Sequence, residues 1–228
     1  MDTTKLDWFY AEDIVKGIVK LSSDESRHLK VKRHYKQESV AVFDGKGKVG
    51  AGKIIDDDKI EIFEIHEFPK NDSQCSLTIA TAVPKGDKFE FMLQKLTELN
   101  VKTIIPMKTN RSVVLPKNIE RYKRILLEAC KQSKRTRLPE LTEITDFNEI
   151  IKEKYDNKII LLHGEEPLKE ILKNLKGNTL VLVGPEGGFT DEELAEADKN
   201  RFIKASMGKL TLRIETAAIA AAAIINSF

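Results

Sequence analysis

The pattern of apolar and polar positions changes near residue 70 of the chain. Upstream, three stretches rich in β-forming residues, SVAVFDG, KVGAGKII and KIEIFEIHEF, are separated by turn signals at Asp44–Gly47 and Asp56–Asp58. Short strands joined by tight turns are typical of a small closed barrel. The polar segment Pro69–Ser73 has the composition of a linker. We therefore predict an N-terminal β-barrel domain over 1–70 and a second domain over 74–228.

Downstream of the linker, apolar runs alternate with amphipathic segments. Strands are predicted over 76–83 and in the runs VKTIIP, KIILLH, NTLVLV and FIKAS. Pro106 is expected to end the strand VKTIIP. Helices are predicted between the strands, including a basic helix over about 117–135 and a last helix from about Glu215 to Asn226. Apolar strands that alternate with helices indicate an α/β domain whose mostly parallel sheet is covered on both faces.

Polar residues mark several predicted helix ends in this second domain. Asp87 and Glu90 have the spacing of a capping box at the start of the first helix, and Asn100 can adopt the left-handed conformation at its end. Thr190 and Glu193 have the same spacing later in the chain. Helices are therefore expected to begin after Asp87 and after Thr190.

Composition and charge describe an ordinary globular chain. Hydrophobic residues make up 41% and charged residues 32% of the 228, and the net charge of +2 conceals local basic runs. The first residues lack a basic start followed by an apolar core, and no apolar run reaches the roughly 18 residues of a membrane span. We therefore expect a cytoplasmic protein. Cys75 and Cys130 lie far apart without the spacing of a metal site, so we expect reduced thiols and no metal.

The glycine-rich segment 184–188 follows the apolar run LVLV, at the carboxyl end of a predicted parallel strand, where ligands bind in such sheets. It has neither the lysine of a nucleotide-triphosphate loop nor the spacing of a dinucleotide fingerprint. Asp191, Glu192 and Glu193 occupy the positive end of the following helix and would repel a phosphate. The segment therefore suits a neutral or cationic ligand, such as adenosine attached to a sulfonium, or is an ordinary tight turn without a ligand.

Two further strand ends have residues that could contact a ligand. The run LLHGEEP leaves its strand through His163–Glu165, and SMGKLTLRIETAAIAAAAII passes from a glycine turn into the last helix. Thr216 is a candidate cap for that helix, and its many alanines allow it to pack closely against a neighbour. Three such loops after three late strands predict one ligand site.

The segments GPEGGFTDEEL and MGKLTLRIETAAIAAAAII together resemble the SPOUT superfamily of knotted methyltransferases. Within it, the resemblance is to the family that methylates N3 of a uridine in the 16S ribosomal RNA of the small subunit. AVPKGDKFEFMLQKLTELNV, TNRSVV, RYKRILLEACKQSKR and LLHGEE match further segments of that family in the same order. The resemblance implies a trefoil knot in the C-terminal domain, S-adenosylmethionine as cofactor, a PUA-like N-terminal barrel and a homodimer. The chain departs from the family pattern at Asn110, where the family has a glutamate.

The resemblance also implies roles for individual residues. Arg213 is expected to stabilise the uracil anion that forms when N3 loses its proton, as an oxyanion-hole donor does; a salt bridge to Glu215 is the alternative. Glu186 is the second catalytic candidate, with Glu215 or water as other possible proton acceptors. Cofactor binding is assigned to Leu162, His163, Gly164, Glu165, Val183, Gly184, Pro185, Glu186, Gly187, Gly188, Met207, Gly208, Leu210, Leu212, Thr216 and Ala217.

Two basic clusters predict contact with RNA. One is KNIERYKRILLEACKQSKRTR, and the other is RHLKVKRHYK in the predicted barrel. Together with the resemblance, they assign RNA binding to Arg27, Lys32, Arg33, Arg111, Gln132, Lys134 and Arg135. The expected partner is 16S ribosomal RNA within a structured or assembled small subunit. The alternatives are a SPOUT enzyme with another target, such as a ribose 2′-hydroxyl in transfer RNA, and a non-catalytic RNA-binding assembly factor.

Overall fold

The computed structural model describes residues 2–31, 35–69, 75–116, 118–172 and 176–227. The chain divides into two compact units: Met1–Asp72 with Leu127–Leu138, and Ser73–Leu126 with Pro139–Phe228. The segment Leu127–Leu138 is therefore part of the first unit, although it is distant from the N-terminal residues in sequence.

The first unit contains a five-stranded sheet. Its elements are β1 (Trp8–Tyr10), β2 (Gly17–Lys20), α1 (Ser23–Val31), β3 (Ser39–Phe43), β4 (Lys48–Asp56) and β5 (Lys59–Glu67). The strand order is β1-β3-β4-β5-β2; β1 and β3 are parallel, and the other neighbours are antiparallel. No pairing joins β1 to β2 among the described residues, so strand pairing alone does not close this sheet into the predicted barrel.

The turn between β3 and β4 lies where the sequence predicts it. The buried carboxylate of Asp44 accepts hydrogen bonds from the backbone N–H groups of Lys46, at 2.6 Å, and of Lys48, at 2.9 Å. Gly45 and Gly47 have φ angles of 68° and 114°, which an L side chain rarely adopts. Glycine and aspartate are therefore required here for different reasons, one for the backbone conformation and one for its hydrogen bonds.

The second unit is an α/β domain built on a seven-stranded sheet. Its elements are β6 (Cys75–Thr81), α2 (Lys88–Glu98), β7 (Thr103–Lys108), α3 (Ile119–Ser133, shared with the first unit), β8 (Glu140–Leu141), β9 (Thr145–Asp146), α4 (Phe147–Ile150), β10 (Asn157–Leu161), α5 (Leu168–Ile171), β11 (Gly177–Val183), α6 (Asp191–Lys199), β12 (Ile203–Ala205) and α7 (Ile214–Ile225). The order is β12-β10-β11-β6-β7-β8, with β9 also on β7, and every described pair is parallel. The predicted mostly parallel sheet is confirmed.

Helices cover both faces of this sheet. Alternate residues of each strand face opposite sides, so Ile79 and Val181 pack in one apolar cluster with α2 and α7. Ala80 and Leu182 pack in the other, with α4 and α6. The strands are apolar throughout because both of their faces are buried, as the sequence pattern predicts.

Two predicted capping roles are wrong, although both helices begin within one residue of the predicted positions. Asp87 makes no side-chain hydrogen bond at the start of α2, because its backbone is already helical (φ −80°, ψ −4°), whereas a capping residue is extended. Glu90 instead pairs with Arg121, whose Nε lies 2.7 Å from its Oε1. Likewise, Thr216 does not cap α7: the helix begins at Ile214, which places Thr216 inside the first turn.

Pro106 also does not end its strand, because β7 continues to Lys108. Pro106 is paired with Thr81 of β6. On the other side of β7, β8 pairs as far as Ile104 and β9 pairs from Met107, so the ladder is interrupted between them. The proline, which lacks an N–H, is accommodated beside this interruption.

Other local predictions are confirmed. Asn100 follows α2 with a left-handed φ of 59°. Thr190 and Glu193 form a complete capping box at the start of α6. Within the described part of the chain, none of the helices is long and apolar enough to cross a bilayer.

Candidate functional site

The loops that follow β10, β11 and β12 line one cleft of about 220 Å³. These strands are neighbours and parallel, so their carboxyl ends share one edge of the sheet. The first loop follows β10, the second joins β11 to α6, and the third joins β12 to α7. The lining residues are Leu161, Leu162, His163, Val183, Gly184, Pro185, Glu186, Gly188, Phe189, Met207, Gly208, Leu210, Thr211, Leu212, Ile214 and Ala217.

The cleft brings together most residues assigned to cofactor binding from the sequence. Assigned residues that are not among its lining residues are Gly164, Glu165, Gly187 and Thr216. Four residues line the cleft that were not assigned to cofactor binding from the sequence: Leu161, Phe189, Thr211 and Ile214. Of these four, Phe189 was the easiest to identify from the sequence, because a bulky apolar residue directly after two glycines at a strand end is expected to pack against the glycine-rich loop.

Glycines in the three loops keep space open beside the backbone. Gly164, Gly188 and Gly208 have φ angles of 83°, 68° and 120°, and a Cβ built on any of them would meet no atom within 4 Å. Gly184 is different, because its Cβ would lie 2.7 Å from Cε2 of Phe189. The first three glycines therefore permit a backbone with positive φ beside open space, whereas Gly184 permits a ring to pack against the loop.

Apolar side chains dominate the lining, which is the usual composition of a small-molecule pocket. Met207 and Leu212 are half-buried, and Ile214 is buried. Leu210 lines the cleft but is 79% exposed. It therefore has apolar surface available to a ligand.

The first and third loops are hydrogen-bonded to each other. His163 Nε2 lies 3.1 Å from the carbonyl oxygen of Lys209. The hydroxyl of Ser206 donates to the carbonyl of Glu165 at 2.7 Å, and its backbone N–H donates to the carbonyl of Glu166 at 2.8 Å. These bonds fix the two loops as one wall of the cleft.

The second loop is held by the segment that follows β7. Nη1 of Arg111 donates to the carbonyl oxygens of Gly187, at 2.6 Å, and Phe189, at 3.2 Å. One residue earlier, the backbone N–H of Asn110 donates to the buried carboxylate of Glu193 at 2.8 Å. The side chain predicted to contact RNA at position 111 is therefore engaged with the glycine-rich loop.

The two catalytic candidates differ in position. Glu186 is exposed and lines the cleft, whereas Arg213 is exposed at the N-cap of α7 and is not among the lining residues. Glu215, the alternative partner of Arg213, is buried and lies 3.8 Å from Nζ of Lys88. No hydrogen bond or ion pair joins the Arg213 guanidinium to another described residue, which leaves it available to a substrate.

The remaining residues assigned to RNA binding have varied environments. Arg27 is exposed and lies 3.6 Å from Asp24, Gln132 is exposed, and Lys32 and Arg33 lie outside the described residues. Lys134 is engaged within the first unit, where its Nζ donates to the carbonyl of Leu6 at 2.6 Å and lies 5.5 Å from the ring centroid of Trp8.

Arg135 is also engaged within the first unit, where its Nε donates to the carbonyl of Arg137 at 2.7 Å. Burial lowers the pKa of Arg135, because a charged guanidinium is less favourable away from water. The same effect raises the pKa of the neighbouring Cys130 thiol from 9.0 to about 12. Lys134 and Arg135 are therefore less available to RNA than the sequence suggested.

An ion cluster in the first unit has the donors of a metal site. One ligand atom each from Glu25, His28 and Glu128 lie within 4.8 Å of one another. The ammonium of Lys131 lies among them, 2.7 Å from each carboxylate and 3.0 Å from Nδ1 of His28. The internal ammonium therefore supplies the positive charge that these groups require.

Comparisons with known proteins agree on one family. A family model described as an RNA methyltransferase domain matches residues 71–226. Ribosomal RNA small subunit methyltransferase E of Synechocystis is 31% identical, with 95% of this chain and 75% of that protein covered. The protein of the same name from Aquifex aeolicus is 31% identical, with 96% and 99% covered. A crystal structure of ribosomal RNA small subunit methyltransferase E from Neisseria gonorrhoeae bound to S-adenosyl methionine matches with a TM-score of 0.86 and 30% identity, over 97% of each chain.

Proposed function

Because the chain belongs to the ribosomal RNA small subunit methyltransferase E family of SPOUT RNA methyltransferases, we propose that it transfers a methyl group from S-adenosylmethionine to N3 of a uridine in 16S ribosomal RNA. The observation that carries the proposal is the cleft at the ends of β10, β11 and β12, which is lined by three glycine-containing loops.

The residues of the cleft fit S-adenosylmethionine. Open space beside Gly188 and Gly208, which both line the cleft, allows a ligand to approach the backbone closely. Leu212 and Met207 provide apolar surface for an adenine ring. The acidic first turn of α6 disfavours a phosphate and tolerates a sulfonium cation. A cofactor that is cationic and contains adenosine, but no phosphate, suits all three observations.

Arg213 and Glu186 would carry the chemistry. The imide nitrogen N3 of uracil becomes nucleophilic only when it loses its proton. Glu186, which is exposed at the cleft, would accept that proton, because Glu215 is buried beside Lys88. The guanidinium of Arg213 would stabilise the negative charge on a flanking carbonyl oxygen, an effect of about 3 kcal/mol for one oxyanion-hole donor. When bound, S-adenosylmethionine supplies a methyl group on a sulfonium; as the N3–carbon bond forms, the carbon–sulfur bond breaks and leaves a neutral thioether.

Finer features of the architecture are part of the same proposal. We propose that the C-terminal loops are threaded as a trefoil knot, that the N-terminal unit has a PUA-like fold that contacts RNA, and that two chains associate through α7. Support comes from the overlay with the Neisseria structure, which extends over nearly the whole chain. The half-exposed small residues of α7, among them Ala220, support the close approach of a second helix.

Two measurements test the proposed reaction. Isothermal calorimetry with S-adenosylmethionine and S-adenosylhomocysteine should show binding of both, and no heat for either with folded protein would contradict it. Small subunits incubated with protein and cofactor should then yield 3-methyluridine on nuclease digestion and mass spectrometry. A ribose 2′-O-methyl product would identify a SPOUT enzyme with another target, and cofactor binding without any product would identify a non-catalytic RNA-binding factor.

A further inference from the structure

The glycine-rich loop has few hydrogen bonds of its own. Gly188 donates its backbone N–H to the carbonyl of Pro185 at 2.8 Å, which closes a tight turn. Glu186 and Gly187 within that turn are exposed, and Gly188 adjoins open space. The conformation of the loop therefore depends on groups outside it.

Arg111 provides the first external support. Its Nη1 donates to the carbonyl oxygens of Gly187 and Phe189, the residues on either side of Gly188. One side-chain nitrogen thus joins two carbonyls that are separated by a single residue. A guanidinium presents N–H donors in a fixed plane, and charge-assisted bonds of this kind are stronger than neutral ones.

The two carbonyls bonded by Arg111 belong to peptide groups that are also held at their other ends. A peptide group is planar, so the carbonyl of Gly187 and the N–H of Gly188 point in opposite directions. The N–H of Gly188 donates to the carbonyl oxygen of Pro185. In the same way, the carbonyl of Phe189 is opposite the N–H of Thr190, which donates to Oε2 of Glu193 at 2.8 Å.

The Gly187–Gly188 and Phe189–Thr190 peptide groups are therefore each fixed at the oxygen by Arg111 and at the nitrogen by a protein acceptor. The peptide group between them, which joins Gly188 to Phe189, has no hydrogen bond to another described residue. Among these three consecutive peptide groups, it is the one that can bond with a ligand in the cleft, and its orientation follows from its two fixed neighbours.

Arg111 is presented from a backbone that is itself anchored. The N–H of Asn110 donates to Oε1 of Glu193, so one buried carboxylate holds both the arginine segment and the start of α6. Thr109 and Ser112 close a turn around the arginine, with Thr109 N–H donating to the Ser112 hydroxyl at 2.9 Å. The guanidinium therefore acts from a fixed position.

We infer that Arg111 is a positioning residue that sets the geometry of the glycine-rich loop for cofactor binding, in addition to any contact it makes with RNA. The inference rests on the proposed function, because the ligand of the cleft is taken to be S-adenosylmethionine. It accounts for why an arginine follows β7, two strands away from the loop in the sheet order.

The test compares Arg111→Ala and Arg111→Lys with the wild-type protein. Arg201→Ala is the control, because Arg201 is an exposed arginine of the same unit whose side chain has no hydrogen bond or ion pair to another described residue. By calorimetry, Arg111→Ala should weaken S-adenosylmethionine binding about tenfold, Arg111→Lys less, and Arg201→Ala not at all. Unchanged affinity in Arg111→Ala would overturn the inference.

Amide hydrogen exchange provides a second readout that needs no cofactor. In Arg111→Ala, exchange at Gly188 and Thr190 should accelerate by about tenfold or more, while the amides of β11 and α6 keep their wild-type rates. Wild-type rates at those two amides would contradict the role of Arg111, whether or not the protein binds S-adenosylmethionine. Failure of the proposed function would instead appear as a wild-type protein that binds no cofactor.

RNA binding separates this role from a simple phosphate contact. If Arg111 only contacted RNA, Arg111→Ala would lower RNA affinity, reduce the salt slope by about one, and leave cofactor affinity intact. That result would overturn the inference. The expected result is the reverse: lower cofactor affinity with RNA binding in the absence of cofactor changed far less.

Discussion

His163 Nε2 lies 3.1 Å from the carbonyl oxygen of Lys209, which is 46 residues further along the chain. This bond ties the loop after β10 to the loop after β12, while Arg111 fixes the loop after β11. The three loops of the cleft are therefore held by protein contacts, one between two of the loops and one from the segment after β7. Preorganisation of this kind reduces the entropy lost when a ligand is bound.

The first prediction concerns the open space beside Gly188. In Gly188→Val, the side chain would occupy that space, and the backbone would keep a φ of 68° that a β-branched residue tolerates poorly. We expect S-adenosylmethionine binding to fall by at least about a hundredfold in calorimetry, with RNA affinity nearly unchanged.

Gly86→Val is the matched control for this prediction. Gly86 has a φ of 71° and also has no atom within 4 Å of a built Cβ, but it does not line the cleft. Both variants should lose stability of about 1–2 kcal/mol from the strained backbone, and only Gly188→Val should lose the cofactor. Normal cofactor binding by Gly188→Val would mean that the loop is purely structural.

The second prediction separates binding from chemistry at Arg213. Arg213→Lys keeps the positive charge but loses the planar fork of donors. Its methylation rate should fall about a hundredfold, while cofactor affinity changes little, because the charge that Arg213 stabilises exists only after the uracil has ionised. Raising the pH should partly restore the rate, since more uridine then ionises unaided. Equal losses in binding and rate, without rescue by pH, would make Arg213 a structural residue.

The sequence was informative where a local rule was sufficient. Gly184–Gly188 at a strand end located the cleft, and the spacing of Thr190 and Glu193 located the start of α6. The sequence did not predict the position of a side chain that bonds to a residue far away in the chain. Glu90 bonds Arg121 rather than the helix end, and Arg111 supports a loop that is far from it in sequence.

The N-terminal unit shows the same limit on a larger scale. β1 and β2 were not predicted, because each is only three or four residues long and β1 pairs in parallel with β3, a non-consecutive strand. The sequence also gave no sign that Leu127–Leu138 packs with this unit. Long-range packing of this kind leaves no periodic signal.

The third prediction follows from the pKa of Cys130. The thiol is fully buried, and desolvation raises its pKa from 9.0 to about 12. Above pH 9 the unfolded chain therefore releases a proton that the folded chain retains, so stability falls as the pH rises. Between pH 8 and pH 10, this group should lower the free energy of unfolding by about 1 kcal/mol.

Cys130→Ala tests this assignment by difference. The free energy of unfolding is measured by urea denaturation at pH 8 and at pH 10. Its decrease between these pH values should be smaller in the variant than in the wild type, by about 1 kcal/mol. Cys130 should also resist alkylation by iodoacetamide until the protein unfolds, because the thiolate is the reactive form. An identical pH dependence in the two proteins would show that Cys130 does not titrate differently on folding.

The fourth prediction concerns the homodimer. One face of α7 is buried in the second unit, whereas Ala223 is exposed and Ile219 and Ala220 are half-exposed. The wild-type protein should sediment as a dimer at micromolar concentration, and Ala223→Glu should sediment as a monomer because a buried unpaired carboxylate is costly. Ala195→Glu on the exposed face of α6 is the control and should remain a dimer. A monomeric wild-type protein would refute the prediction.

The last prediction concerns how the substrate is chosen. Aromatic residues make up only 7% of the chain. Trp8 and Tyr122 pack within the protein, and the exposed rings of Tyr35, Phe63 and Phe91 lie on separate segments of the chain and do not form a stacking platform on one element. We therefore do not expect recognition to rest on base stacking with single-stranded RNA.

Lys123 and Arg124 of α3 are exposed, and the ion pair of Lys123 with Glu120 lies at the surface, so both are better placed for phosphate contacts than Lys134, which is half-buried and bonded to Leu6. Contacts of this type depend steeply on salt and favour a structured target.

Lys123→Ala with Arg124→Ala should therefore weaken binding to small subunits and reduce the salt slope by about two, with cofactor affinity and stability nearly unchanged. Lys134→Ala should instead lower the melting temperature, because it removes a hydrogen bond and a cation–π contact from the first unit. The target uracil must also leave its stack, a cost of a few kcal/mol that contacts with a large folded RNA can offset. Small subunits should accordingly be methylated much faster than a short oligonucleotide of the same sequence. Efficient turnover of that oligonucleotide, insensitive to salt, would show that the bases are read directly and that α3 is not a phosphate-binding surface.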